Sequence, residues 1–174
     1  MLQIPPTPSH TLIFPEQSIL AAIGIKRAPG LEHVRRIRTI KARTEAFAVA
    51  VVKFCDTLPN SMAGRRIAQQ LLDAGTSVAA NYRAVCRAYT SPLFISKMAI
   101  VDEEADESEF WFRIIRKTGL QSAASVDGLE QEAHELACIF SASLRTARIN
   151  ARKRRDAKRR KSNHEPVAPT SRKP

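Results

Sequence analysis

Six glycines and three cysteines among 174 residues exclude two common architectures at once. Glycine supplies the tight turns that many short strands need, so a turn-rich all-β fold is not expected. The cysteines, Cys55, Cys86 and Cys138, are odd in number and far apart. They read as buried free thiols in a reducing cytoplasm rather than as disulfides or metal ligands. No apolar run approaches the roughly 18–20 residues of a membrane span. Proline is nearly missing from the middle: only Pro59 and Pro92 fall between residues 30 and 165. Chemistry is missing as well. The body contains no Glu-x-x-His pair of the kind that di-iron bundles use. Gly64 and Gly75 lack the neighbours of a phosphate-binding loop.

What is present is an apolar body with a charged end. Hydrophobic residues make up 44% of the chain, enough for a core, so wholesale disorder is not expected. The length allows one domain, or one domain with tails. The net charge of +11 is unevenly spread. Residues 1–37 carry a net +2, residues 38–150 a net +1, and residues 151–174 a net +8. Proline divides the chain at similar places. The result is an irregular or disordered arm over 1–35, a helical body over 36–151 and a basic, mostly disordered tail over 152–174. The arm is not expected to be a signal peptide: its apolar stretch 19–23 is short and no basic region precedes it.

The body reads as four helices. Ile37, Ile40, Thr44, Phe47, Val51, Phe54 and Leu58 recur at alternating steps of three and four, a heptad stripe on one helix face. This predicts a first helix over about 37–58, ended by Pro59, with Ser61 as N-cap of the next. A second helix over about 62–88 carries Ile67, Leu71, Ala74, Val78 and Val85, and a small-residue centre at Gly75 that allows close helix approach. Ser91-Pro92 predicts the N-cap and first residue of a third helix, about 92–118. Its stripe is Phe94, Met98, Val101, Ala105, Ser108, Phe112 and Ile115, widened by Phe110, Trp111 and Ile114, and Gly119 is a C′ residue. The fourth helix, about 126–151, has Leu129, Ala133, Leu136, Phe140, Ser143 and Ala147 as its seam, flanked by Ile139 and Leu144. It is expected to fray in the basic run.

Short connections favour an antiparallel up-down-up-down four-helix bundle. Folding about each turn places residues 38–43, 76–81, 99–104 and 141–146 at one level. Arg38, Lys41 and Arg145 would then meet Asp102 and Glu103.

Three strings carry a resemblance: residues 66–87 (RIAQQLLDAGTSVAANYRAVCR), 94–112 (FISKMAIVDEEADESEFWF) and 136–150 (LACIFSASLRTARIN). In order and combination they resemble the bacterial four-helix bundle family named for the 23S rRNA intervening-sequence protein, over about residues 36–150. The resemblance implies antiparallel bundles that can form ring-shaped homopentamers. A related branch, the accessory variability determinant of diversity-generating retroelements, binds a reverse transcriptase and nucleic acid. The family has no established catalytic residues, so none is transferred. The motif positions matched here are Asn81, Tyr82, Arg83 and Arg87, then Glu104, Asp106, Glu107 and Trp111, with structural or interface roles implied.

Other constellations read as structural. The acidic run Asp102, Glu103, Glu104, Asp106, Glu107 and Glu109 is expected to pair with Arg38, Lys41, Arg83, Arg145 or Arg148. Exposed pairs of this kind are worth only ~0–1 kcal/mol each. His134, beside an apolar seam, reads as a satisfied structural histidine. Ser77, Asn81 and Tyr82 read as a polar core network. No Ser–His or Cys–His pair is expected to assemble, so no nucleophile–base pair is available. No metal site and no cofactor are expected.

The functional signal is the run Arg152, Lys153, Arg154, Arg155, Lys158, Arg159, Arg160 and Lys161. It contains no aromatic residue, so phosphate contact rather than base stacking is indicated. No bulky apolar face accompanies the charge, which disfavours a membrane surface. The expectation is a non-enzymatic, cytoplasmic, oligomeric bundle that binds nucleic acid, RNA favoured, through its basic tail. The alternative is a protein-interaction scaffold that docks a partner such as a reverse transcriptase.

Overall fold

In a computed structural model the described residues are 30–162, with side chains described over 39–160. They form four helices: α1 Gly30–Cys55, α2 Met62–Val85, α3 Ser91–Thr118 and α4 Ala123–Ser162. No strand occurs among the described residues. Paired residues run in opposite directions on neighbouring helices. Along α3 and α4 the pairs are Arg116 with Glu130, Glu109 with His134, Asp102 with Ser141 and Ser91 with Arg154. Along α1 and α2 they are Cys55 with Ala68 and Glu45 with Arg83. Arg43 of α1 reaches Glu132 and Glu135 of α4, which closes the bundle.

The apolar stripes become the core. Phe47, Val51, Phe54, Leu71, Val78, Val85, Phe94, Met98, Val101, Phe112, Ile115, Leu136 and Phe140 are all buried. Phe112 receives the edges of Phe47 and Phe54, with ring centroids 6.4 and 5.3 Å away. Truncating such a phenylalanine to alanine costs about 3–5 kcal/mol. In α4 the buried position is Leu144 rather than Ser143, while Val126, Ala133, Phe140 and Ala147 keep the seven-residue repeat. The stripe reading missed Val126, which is also buried.

Three local expectations change. The N-cap of α3 is Thr90, whose Oγ1 accepts the Leu93 N–H at 3.3 Å, so Ser91 is already helical. α1 ends at Cys55, because Thr57 and Leu58 turn back onto the Phe54 and Cys55 carbonyls before Pro59. The level map holds for α3 against α4 but not for α1. Arg43 meets Glu132 and Glu135 rather than residues 141–146, because the connection 56–61 offsets α1 along the bundle. Ser61 caps α2 as expected, accepting the Gly64 N–H at 3.0 Å. Gly119 ends α3 in the left-handed region at φ 66°, and the Leu120 N–H closes on the Ile115 carbonyl.

Both ends of the domain reading also shift. The irregular arm falls on residues outside the described ones except for its last part, where α1 already starts at Gly30. α4 continues past Ala151 and is helical through Ser162, where fraying was expected, and the rest of the tail lies outside the described residues. Arg, Lys and Ala are strong helix formers, and cations near a helix C-terminus complement its dipole.

Candidate nucleic-acid interface

α4 spans 40 residues, about 60 Å, against 28 residues and about 42 Å for α3. Arg154 donates to the Ser91 hydroxyl at 3.3 Å, and Ser91 is the first residue of α3. Residues 155–162 therefore run past the start of α3. Residues 152–160 are all exposed. Arg148, Arg152, Arg155 and Arg159 recur at steps of four, three and four, so they share one helix face. Arg154 and Lys158 lie to one side of that face, toward Ser91 of α3, and Lys153 and Arg160 to the other. The acidic member of the run is Asp156. The side chain of Lys161 lies outside the described residues.

The shared face opens onto a groove of about 490 Å³ where α4 crosses the start of α3. Pro92, Ile95 and Ala151 give it an apolar lining, and Arg148, Arg152, Arg154 and Arg155 give it charge. The first turn of α3 contains no acidic residue, so the positive end of its dipole adds to that field. The spacing Arg148/Arg152, Arg154/Lys158 and Arg155/Arg159 sets like charges four residues apart, which disfavours the helix by about 0.2–0.5 kcal/mol per pair. A polyanion would relieve that repulsion.

The family-motif positions are spread between the core and the surface of the bundle. Tyr82 is buried with its ring 5.5 Å from Phe140, and burial, then Cys86, pushes its hydroxyl well above the usual phenol range. Asn81 donates to the Ser77 carbonyl of its own helix at 3.0 Å, so the expected polar core network does not form. Among the described residues the buried polar side chains are Thr44 and Ser108, each hydrogen-bonded back to its own helix. Arg83 lies 3.6 Å from Glu45, and Arg87 is exposed. Trp111 Nε1 donates to Glu107 at 3.0 Å, and Asp106 is exposed.

The acidic run does not pair as expected. Spread over two helical turns, its members face different neighbours. Asp102 accepts from Ser141, and Glu109 contacts Arg113 and His134. Glu104 faces Glu107, Glu103 and Asp73, and burial and these like charges hold its carboxyl above its usual range. Among the described residues neither Lys41, Arg83, Arg145 nor Arg148 forms an ion pair with this run. Arg38 lies outside the described side chains. No cluster of three His, Cys, Asp or Glu among the described residues could hold a metal ion.

A Cys–His pair does assemble, against expectation. His134 is exposed, and its Nδ1 lies 3.1 Å from Glu109 Oε2. Its Nε2 lies 3.6 Å from Cys138 Sγ, one helical turn along α4. With Nδ1–H donated to Glu109, Nε2 is left to accept the thiol proton. Cys138 is exposed rather than buried, whereas Cys55 and Cys86 are half-buried.

Sequence reasoning missed the α3 side of the groove, Ser91, Pro92 and Ile95, and the exposed Tyr89 two residues before α3. Tyr89 is 80% exposed. The sequence carried one signal, an aromatic next to the helix-start string Thr90-Ser91-Pro92. Nothing in it set that string beside Arg154.

The family described as 23S rRNA-intervening sequence protein matches residues 39–142, more than half of the chain. A crystal structure at 1.70 Å resolution of a protein of unknown function, from the S23 ribosomal protein family of Bacteroides thetaiotaomicron, is similar in fold. It shares 25% identity at a TM-score of 0.58, over 63% of this chain and 97% of that one. No curated protein matches. Neither similarity indicates an enzyme family. Among the described residues no helix is long and apolar enough to cross a membrane.

Proposed function

The chain belongs to the 23S rRNA-intervening sequence protein family, and from that premise we propose a non-enzymatic, oligomeric bundle that binds nucleic acid, RNA favoured, at the basic end of α4. The observation that carries this reading is the arginine-lined groove where α4 crosses the start of α3. Its cations are held on a helix that is anchored at Ser91. A fixed array loses less conformational entropy on binding than a loose tail of the same charge. Phosphate is the ligand chemistry that four guanidinium groups and a helix N-terminus share.

Assembly multiplies such weak contacts. In a homopentamer, as the family resemblance implies, five grooves would be linked, and linkage gains on the order of 10²–10⁴ when geometry permits. The experiment is native mass measurement of the full chain, then sequencing of co-purified nucleic acid. A mass of several chains carrying RNA supports the reading. A monomer, or an oligomer that keeps its nucleic acid in Arg152→Glu/Arg154→Glu/Arg155→Glu, contradicts it.

The scaffold reading has one observation of its own. Phe110 is 45% exposed and stands edge-on to Trp111 at 4.9 Å, beside the acidic side chains of α3. A protein partner such as a reverse transcriptase would cover that aromatic pair, and loss of the complex in Phe110→Ser separates this surface from the groove.

A further inference from the structure

Phosphate contact alone does not account for the chemistry at the basic end of the bundle. The groove lining combines apolar Pro92, Ile95 and Ala151 with its four arginines. Tyr89 lies in the connection 86–90, and among the described residues its ring meets no other ring. At 80% exposure it does no work in the core. Its backbone is two residues from Ser91, a distance of at most about 7 Å. Ser91 both lines the groove and holds Arg154. Tyr89 does not line the groove itself, but its backbone stands beside the mouth, within reach of a strand whose phosphates meet the apolar wall and guanidinium rim. Exposed Arg87 lies on the same connection.

We propose that this end of the bundle is a single-strand site, in which Tyr89 stacks on an unpaired nucleobase while the groove arginines hold the flanking phosphates. The proposal rests on the nucleic-acid reading above and adds the form of nucleic acid. Duplex bases are stacked on one another and offer no free face to Tyr89. In a single strand each base has one, and aromatic stacking tolerates any sequence. The aromatic that the basic run lacks is thus supplied by the α2–α3 connection.

The test is fluorescence anisotropy of the full chain against labelled single-stranded RNA, single-stranded DNA and a duplex, each about 16 nucleotides long. The variants are Tyr89→Ala, Tyr89→Phe and Arg152→Gln/Arg155→Gln. Tyr89→Ala should weaken single-strand binding roughly 5- to 150-fold, the range of one lost stack. It should leave duplex binding almost unchanged, and Tyr89→Phe should bind as the parent does. If Tyr89→Ala binds single strands like the parent while the arginine variant is impaired, stacking is wrong and the electrostatic reading stands. Equal weakening on duplex and single strand also overturns the proposal. If neither variant loses affinity, the nucleic-acid reading falls with it. Tyr89 is exposed, so an unchanged melting temperature of Tyr89→Ala shows that the fold is intact.

Discussion

Gly75 of α2 lies directly against Val51 of α1: a Cβ on Gly75 would come within 2.8 Å of both Val51 methyl carbons. Val51 is fully buried and cannot swing aside. Gly75→Ala would gain up to about 1 kcal/mol of helix propensity. Overpacking costs about 1–3 kcal/mol, so the net change is destabilising and the melting temperature falls. In a Val51→Ala background the methyl clash is gone and only the residue 51 Cβ remains close, at 3.1 Å, so Gly75→Ala should cost less than in the parent. A double-mutant cycle by thermal unfolding reads the coupling directly. Additive effects would contradict the close approach.

Glu104 and Glu130 should shift stability in opposite directions. Burial, then Glu107, Glu103 and Asp73, raises the Glu104 carboxyl. A raised carboxyl favours the fold at low pH and loses that contribution as pH rises through its folded-state value. Glu104→Gln should therefore raise the melting temperature at neutral pH and lose that advantage on acidification. Hydrogen bonding to Arg116 instead lowers Glu130. Its contribution is present above the titration of an unfolded glutamate, about pH 4.3, and is lost as pH falls. Glu130→Gln should be less stable at neutral pH and converge with the parent in acid. Melting curves across pH check both signs, and parallel profiles would contradict the assignment.

The thiols should separate by reactivity. Burial, then the neighbouring Asp56, pushes Cys55 up to about 11, so it stays protonated near neutrality. Cys138 is exposed and has His134 Nε2 at 3.6 Å to take its proton. An aromatic disulfide reagent at neutral pH should modify Cys138 first. Cys138→Ser should remove the fast phase, and His134→Ala should slow it several-fold. A fast phase that survives Cys138→Ser would contradict this order.

Most of the bundle could be read from the sequence, because heptad spacing is a local signal. Phe94, Met98, Val101, Ala105, Phe112 and Ile115 were legible as one buried face without any knowledge of what they touch. The level of α1 was not, because register depends on how residues 56–61 turn and on the fit of Val51 over Gly75. How far α4 continues beyond Ala151 was not legible for another reason. A run of like charges has no apolar period, so nothing marks it as helical except propensity. The arginines of the candidate site were legible, while its other half was not. Ser91 and Pro92 lie some sixty residues away in sequence, and only the antiparallel pairing of α3 with α4 brings them to Arg154.

The central claim is that the groove face of α4 binds phosphates, and salt dependence tests it most directly. The affinity of the full chain for a single-stranded RNA would be measured across a salt series, alongside Arg148→Gln/Arg152→Gln/Arg155→Gln. Each phosphate contact contributes about 0.7 to the slope of log affinity against log salt on single strands. The triple variant should bind more weakly, with a slope shallower by about 2, and with oligomer mass and melting temperature unchanged. The same affinity and the same slope in both proteins would contradict it.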